Sequence, residues 1–475
     1  MRMIALVIFS VLLTPGCKST NEAANNVPLR EAEWTLKGEA EQSYYPVALE
    51  QNTAGDIINA YHAVQVSGEN RVSMIGVSRL SPQGDELDVN LHEDEDEPVP
   101  GQPGRKVYLQ SGEPLLSFAG SDLLLMSGKG NMFQLDQSGE LVKRFNLIDV
   151  GFDRFSLVAH NSQRACFTGH NDTAAILFCI KPDGTLLWKK AIPLGENSGR
   201  LFTTFVNAAF QSDGKLVSTT TTTDKLTLTY RDGMGDIVDT LDVDLPTVES
   251  RGATDILPLE DGVVVALREI TGDNAAHFRF LHIATASDPV SNIVAIEDAR
   301  LVPYDADSYL LLTAGDPLVN QGYGEKTADM ARYSIAGQLQ WKRTIALEDM
   351  GTEIGHLNSL QISVTAGVIS LLQNKQSAKL YSPVVVPIGY HRFIDNLFVS
   401  RFGGDGKLIA EDVVGRLNYL VDYEGFIFKF NQYGFYPRLM LDTGTDYVLA
   451  GPSYIPGTLE GPDVLPTVAS HALSR

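Results

Sequence analysis

The chain writes the same eleven residues twice. PDGTLLWKKAI at 182–192 returns as IAGQLQWKRTI at 335–345, and the marker glycines Gly184 and Gly337 stand 153 positions apart. Leu186 matches Leu339, Trp188 matches Trp341, Lys189-Lys190 matches Lys342-Arg343, and Ile192 matches Ile345. The pair belongs to a longer series in which a short turn with Gly precedes an apolar stretch. Other copies are SPQGDELDV (81–89), DQSGELVKRF (136–145), GMGDIVDTLDV (233–243) and GDGKLIAEDV (404–413), while SDPVSNIVAIE (287–297) fills a gap without its Gly. The spacing is about 51 residues, a period that belongs to repeat architectures. The interval from Gly337 to Gly406 is 69 residues and must contain an insertion.

Each period has one grammar. A strand ends in a turn such as QSDG (211–214), LEDG (259–262) or VTAG (364–367), and a very apolar strand follows, as in KLVSTTTT or VVVALREI. A variable loop leads to a third strand, such as AILFCI or HFRFLHI, then the Gly turn and an outer strand. Short β-branched and aromatic runs between Gly, Asp and Asn turns are strand signals. Four short strands per period predict an all-β fold, a β-propeller. The apolar second strand is expected to be buried on both faces between neighbouring blades. The repeated Trp should cover the blade-to-blade packing, with Lys189, Lys190, Lys342 and Arg343 in solvent. Seven markers give about seven four-stranded blades. A ring must close, because an open edge strand invites aggregation. YPRLMLDTGTDYVLAG (436–451) resembles the start of the first blade, and EWTLKGEA (33–40) resembles a lone outer strand carrying Trp34. A blade completed by the N- and C-terminal strands follows, and it could make eight blades instead of seven. The propeller is expected over 33–451, with 452–475, rich in Pro and Gly, as a loop-like tail.

The 475 residues are 44% hydrophobic, enough for a large core, and the formal net charge is −22. No Lys/Arg cluster of useful size occurs, which argues against a nucleic-acid partner.

The first residues are read as targeting sequence. Arg2 precedes an apolar run from Met3 to Leu13 and then Thr14-Pro15-Gly16-Cys17. That run is too short to span a bilayer, which takes roughly 20 residues, and it suits a signal peptide over 1–16. The cleavage region resembles a bacterial lipobox, with Thr14 where Leu is usual. On this reading Cys17 carries the acyl chains, 17–32 is a polar tether, and Lys18 looks like an outer-membrane address. Ordinary secretion is the alternative. The compartment would be oxidising, where disulfides persist. If Asp172-Thr173 is a two-residue hairpin turn, Cys166 falls opposite Cys179, within disulfide range. The other reading is two small buried hydrophobes.

A lipobox-like Cys ahead of blades ending in Gly-x-Leu-x-Trp resembles the bacterial outer-membrane propeller lipoproteins, loosely the quinoprotein-like scaffold of outer-membrane protein assembly. The resemblance implies a periplasmic or cell-surface location and a protein-interaction role. It does not extend to the quinone repeat A-x-D-x-x-T-G-x-x-x-W, of which no good copy occurs. Only Trp34, Trp188 and Trp341 are present, so no quinone or other cofactor is expected.

No nucleophile elbow, His-Glu-x-x-His or phosphate loop occurs. Propeller-shaped polysaccharide lyases use His, Tyr and Arg around a central pocket. The candidates for such a group are His62, His160, His170, His356, Tyr390, His391 and Arg392, each also explicable as an ordinary surface or satisfied side chain. The acidic run Glu93 to Glu97 could bind Ca²⁺ but matches no EF-hand spacing, and a solvated loop is the default. TTTTT (219–223) reads as a Thr ladder on a strand. The expectation is a lipid-anchored, non-enzymatic scaffold that binds another envelope protein, with no catalytic or metal-binding residues assigned. A glycan lyase or hydrolase working in the central pocket is the alternative.

Overall fold

The marker glycines close one hairpin again and again. At Gly84, Gly139, Gly184, Gly235, Gly337 and Gly406 the φ angle lies between 74° and 87°, a region that penalises a Cβ. Each glycine N–H donates three residues back, as from Gly84 to the Ser81 carbonyl at 2.9 Å and from Gly235 to the Asp232 carbonyl at 3.1 Å. The residue opening the turn donates forward, as from Ser81 to the Asp85 carbonyl at 2.8 Å. This is a type I turn with a glycine bulge. The strand register shifts accordingly between Arg79 and Leu80, Tyr230 and Arg231, and Arg332 and Tyr333.

The computed structural model describes residues 30–472 except 31, 38–42, 68–69, 96–107, 112–114, 119–122, 148–153, 171–174, 193–205, 261, 272–275, 285–289, 295–297, 315–325, 348–360, 382–390, 422–426, 436–437, 445 and 456–462. The signal peptide and Cys17 therefore lie outside the described residues. After β1 (Trp34–Lys37), blade 1 comprises β2 (Ser43–Gln51), β3 (Ile57–Ser67), β4 (Asn70–Leu80) and β5 (Glu86–Glu93). A separate strand, β6 (Tyr108–Ser111), precedes blade 2, formed by β7 (Leu115–Ser117), β8 (Leu123–Met126), β9 (Asn131–Leu135) and β10 (Leu141–Asn146). Blade 3 is β11 (Arg154–Asn161), β12 (Arg164–His170), β13 (Ala175–Ile180) and β14 (Leu186–Ile192). Blade 4 is β15 (Ala208–Phe210), β16 (Leu216–Thr221), β17 (Lys225–Arg231) and β18 (Ile237–Asp244). Blade 5 is β19 (Ser250–Leu259), β20 (Gly262–Ile270), β21 (Ala276–Ala284) and β22 (Val290–Val294). Blade 6 is β23 (Asp298–Asp305), β24 (Ser308–Ala314), β25 (Lys326–Ser334) and β26 (Leu339–Leu347). Blade 7 is β27 (Gln361–Thr365), β28 (Val368–Tyr381), β29 (His391–Phe402) and β30 (Leu408–Val421). After β31 (Ile427–Phe435), blade 8 takes β32 (Leu439–Asp442), β33 (Asp446–Ile455) and β34 (Asp463–Ala472) and borrows β1 as its outer strand.

Eight blades, rather than the seven marked by sequence, form the ring. The eighth has no marker because its third and fourth strands come from opposite ends of the chain, with Trp34 opposite Ser470 and Lys37 opposite Thr467. The residues from 452 onward, read as a loop-like tail, instead supply β34 and the end of β33. Pro452 pairs with Pro466. Pro466 lies just past Thr467, the last residue of β34 that β1 reaches, and Pro452 falls in the gap between Ala450, where β32 stops, and Ser453, where β31 takes over. A missing N–H costs little there.

The core is divided among the blade junctions. Val263, Val265 and Leu267 of β20 pack with Val217, Leu226 and Leu228 of blade 4, while Val264 and Ala266 face Leu301, Tyr309 and Leu311 of blade 6. This alternation is why the second strands read as unbroken apolar runs. Side chains so fully buried each contribute about 1.5–3 kcal/mol. The last junction joins Leu49, Ile57 and Leu80 of blade 1 to Val448, Ala450 and Val468 of blade 8, closing the ring. At the rim, marker glycines receive a side chain from the preceding blade: Val77 on Gly139, Phe145 on Gly184, Trp188 on Gly235, His282 on Gly337 and Trp341 on Gly406. The two tryptophans do cover the junctions, as their repetition implied.

Candidate interaction face

The two faces of the ring differ. The connections from first to second strand and from third to fourth all emerge on one side, and none exceeds five residues. The strand ends that flank the longer stretches 94–114, 193–207, 315–325, 348–360, 382–390 and 422–438 lie on the opposite side. Short turns thus make one face uniform, and the differences in connection length fall on the other, as expected where a rigid scaffold presents loops.

Two strands outside the blades also lie on the loop side. β6 pairs in parallel with β11, the innermost strand of blade 3, with Arg154 opposite Tyr108 and Phe155 opposite Leu109. Arg154 begins β11 at its loop-face end, so β6 occupies the axial edge of blade 3 at the mouth of the central channel. In blade 7, β28, β29 and β30 continue past the ordinary blade, from Gln373 to Tyr381 and back through His391, and out again to Val421. β31 joins this extension and reaches β33 of blade 8 through Gly434 and Phe435. This is the insertion announced by the 69-residue interval between Gly337 and Gly406.

Beneath the same face lies a charged row absent from the expectations. Arg251, Glu269 and His277 are in register across β19, β20 and β21. Glu269 Oε1 accepts from Arg251 Nε at 2.7 Å and Arg279 Nε at 2.9 Å, and Oε2 lies 2.8 Å from His277 Nε2. Arg251 also donates to the Thr223 carbonyl at 3.0 Å and the Pro246 carbonyl at 2.7 Å, tying blade 5 to blade 4. The side chains of Glu269 and Arg251 are both 0% exposed. Burial alone would raise the Glu269 carboxyl, but the hydrogen bonds from Arg279 and Arg251 outweigh it and hold it below its usual range. With its carboxylate saturated and covered, the row locks the junction.

The sequence candidates are scattered over the ring. His62 lies half-buried on β3 of blade 1, where burial lowers its pKa, with Asp94 and Lys129 opposing one another as smaller influences. His160 is exposed near the turn-face end of β11, and His170 ends β12 on the other side of blade 3. His391 and Arg392 begin β29 in the blade 7 extension. His356 and Tyr390 lie outside the described residues. The described candidates stand on blades 1, 3 and 7, His62 and His170 on second strands, His160 on a first strand, and His391 and Arg392 on a third.

One expectation needs correction. The acidic run is not simply solvated. Asp94 is 1% exposed, accepts from Asn131 Nδ2 at 2.8 Å and lies 4.0 Å from Lys129 Nζ. It pins blade 1 to blade 2, and among the described residues no group of three or more His, Cys, Asp or Glu could hold a metal ion. The basic pairs after the tryptophans are in solvent as expected, with Lys189, Lys342 and Arg343 exposed and Lys190 half-buried, and Lys190, Lys342 and Arg343 also make polar contacts. Lys190 Nζ reaches Asp236 of the next blade at 2.8 Å, and Arg343 Nε donates to the Gly406 carbonyl at 2.9 Å. Lys342 pairs with Asp329 within its own blade at 2.7 Å. The Thr run serves neighbouring backbone, with Thr221 Oγ1 donating to the Arg251 carbonyl at 3.0 Å. Cys166 and Cys179 are opposite one another and joined by a disulfide, with Cα atoms 4.0 Å apart.

The strand pairing defines an eight-bladed β-propeller closed by its two ends. No family model matches the chain, and no curated protein does. Similar solved structures include the β-propeller domain of Cps50 (Swd1) from Myceliophteria thermophila, 13% identical over 72% of this chain and 96% of that one, with a TM-score of 0.35. Another is the β-propeller domain of the Trilobed protease from Pyrococcus furiosus, 10% identical over 91% and 98%, with a TM-score of 0.33. The phage phi92 endosialidase is 9% identical over 93% and 69%, with a TM-score of 0.35.

Proposed function

We propose that this protein is a scaffold of the bacterial envelope, held to the outer membrane through lipidated Cys17, on its periplasmic face or at the cell surface, and binding another envelope protein through its loop face. The observation that carries the reading is the segregation of every long connection, β6 and the blade 7 extension onto one side of a rigid disc. A binding surface needs variable segments on a firm support, and the ring supplies both. The Cys166–Cys179 disulfide is in keeping with an oxidising compartment. The glycan-cleaving alternative has less support. β6 takes up part of the channel mouth that such a site would use.

The test is a mild-detergent pull-down of the full-length, tagged protein from its native envelope, read by mass spectrometry beside a Cys17→Ala control. A stoichiometric envelope partner, reduced when the anchor is removed, is the expected result. Absence of any partner above background would overturn the scaffold reading.

A further inference from the structure

One register position on the outer strands is apolar and exposed from blade to blade. Leu141, Leu186, Ile237, Leu339 and Leu408 each stand two residues after the marker glycine of blades 2, 3, 4, 6 and 7, and each is between 43% and 58% exposed. Blade 1 has Glu86 at that position and exposes Leu87, at 43%, one place further on. Glu86 shows that the turn itself tolerates a charged side chain there. The seat on the next blade is made two places further along the strand, by Trp188 on Gly235 and Trp341 on Gly406.

Single exposed leucines need no explanation, but these recur at one height around the ring and so line the rim of the turn face. A globular partner would cover an arc of such a rim, whereas a flat surface meets all of it. A second copy stacked face to face would also meet it, but would bring Asp85, Asp136, Asp183, Asp213, Asp232 and Asp405 of the turns against their like, which charge repulsion opposes.

The chain ahead of the ring favours a bilayer. Arg30 N donates to the Val413 carbonyl at 2.7 Å, and its guanidinium pairs with Asp412 at 2.9 Å, which places Arg30 against β30, the outer strand of blade 7. Cys17 is 13 residues earlier, a span of at most about 45 Å. Val413 is five residues from Leu408 along β30, roughly 17 Å. A bilayer at the turn rim is therefore within reach of acyl chains on Cys17.

We propose that the apolar rim of the turn face is a lipid-binding surface, which seats the ring on the interfacial layer of a zwitterionic bilayer with the loop face turned away. The proposal rests on the reading of Cys17 as the lipidated residue and adds the orientation in which the anchored ring is held. Burial of the rim side chains in the interface supplies the attraction, and the acidic turns make a strongly anionic bilayer a poorer surface.

The test uses the full-length protein with Cys17→Ala, which removes the acyl chains, and flotation with phosphatidylcholine–phosphatidylethanolamine vesicles. This protein should partition onto them, and less onto phosphatidylglycerol vesicles. Adding Leu141→Ser, Leu186→Ser, Leu339→Ser and Leu408→Ser should weaken partition about tenfold, with an unchanged thermal melt because all four side chains are exposed. The anchored protein with and without these four changes is then acetylated in the zwitterionic vesicles. Lys181, Lys215 and Lys407, in turns on the rim side, should react more slowly with the native rim, while Lys129 and Lys225 on the loop side react alike in both. No partition of the Cys17→Ala protein, partition indifferent to the four serines, or equal acetylation of the turn lysines would overturn the proposal. The intact mass of the wild type separates the two ideas. An unmodified Cys17 with rim-dependent partition removes the anchor and leaves the rim, whereas an acylated Cys17 with indifferent partition removes the rim and leaves the anchor.

Discussion

The indole of Trp188, on the outer strand of blade 3, rests on Gly235, the marker glycine of blade 4. A Cβ built on Gly235 would stand 2.5 Å from the ring, and the backbone there has φ of 79°. The glycine thus meets two demands, a left-handed turn and a seat for the neighbouring blade. Gly214 meets only the first, with φ of 82° and open space around its Cβ position. Gly214→Ala should cost about 1 kcal/mol, the price of a left-handed non-glycine residue. Gly235→Ala should cost about 3 kcal/mol, because overlap with a packed ring is added. Urea titration of both variants checks the difference, and adding Trp188→Ala to Gly235→Ala should recover part of the loss.

Glu269→Ala leaves Arg251 and Arg279 buried without their carboxylate, which should cost about 3–5 kcal/mol. The pH dependence has a definite sign. The folded carboxyl titrates below its ordinary value of 4.5, so its contribution is present above that value and is lost as pH falls through the depressed pKa. Thermal melts of wild type and Glu269→Ala should converge at strongly acidic pH.

His282 is held neutral. Burial lowers its pKa from 6.5 to about 4, and its ring lies 3.3 Å from the Tyr309 hydroxyl beneath the marker position Gly337. Between pH 6.5 and about 4 the unfolded chain gains a proton there and the folded one does not. Stability from this site is therefore full above pH 6.5 and declines towards pH 4. His282→Phe should flatten that part of the stability curve, as read by denaturant midpoints across the range.

Deleting Trp34–Lys37 should open the ring. β34 would lose its outer partner and expose an edge, so the variant should melt at lower temperature and aggregate in light scattering. Deleting the same number of residues from 18–29 should do neither.

The repeat made the blades legible because the described turns from third to fourth strand in blades 1 to 4, 6 and 7 each place a Gly in the left-handed region. Blade 5 lacks that Gly and was recovered only from the spacing. Blade 8 was visible in its pieces, Trp34 and 436–451, but its third strand was hidden by Pro466, which lies past the stretch that β1 covers. The pairing of Cys166 with Cys179 was readable because hairpin register follows from turn length. The Glu269 row was not, since Arg251, Glu269 and Arg279 meet only once three strands are in register. The loop face was equally hidden as a surface, because long connections look alike until strand direction assigns each to a side.

The central claim, that the loop face recognises an envelope partner, is tested most directly by lysine cross-linking in the native envelope, read by mass spectrometry. Lys129, Lys225, Lys375 and Lys379 lie on the loop side, while Lys181, Lys215 and Lys407 lie in glycine turns on the other. The account predicts partner cross-links at the first set and none at the second. Cross-links confined to Lys181, Lys215 and Lys407 would contradict it.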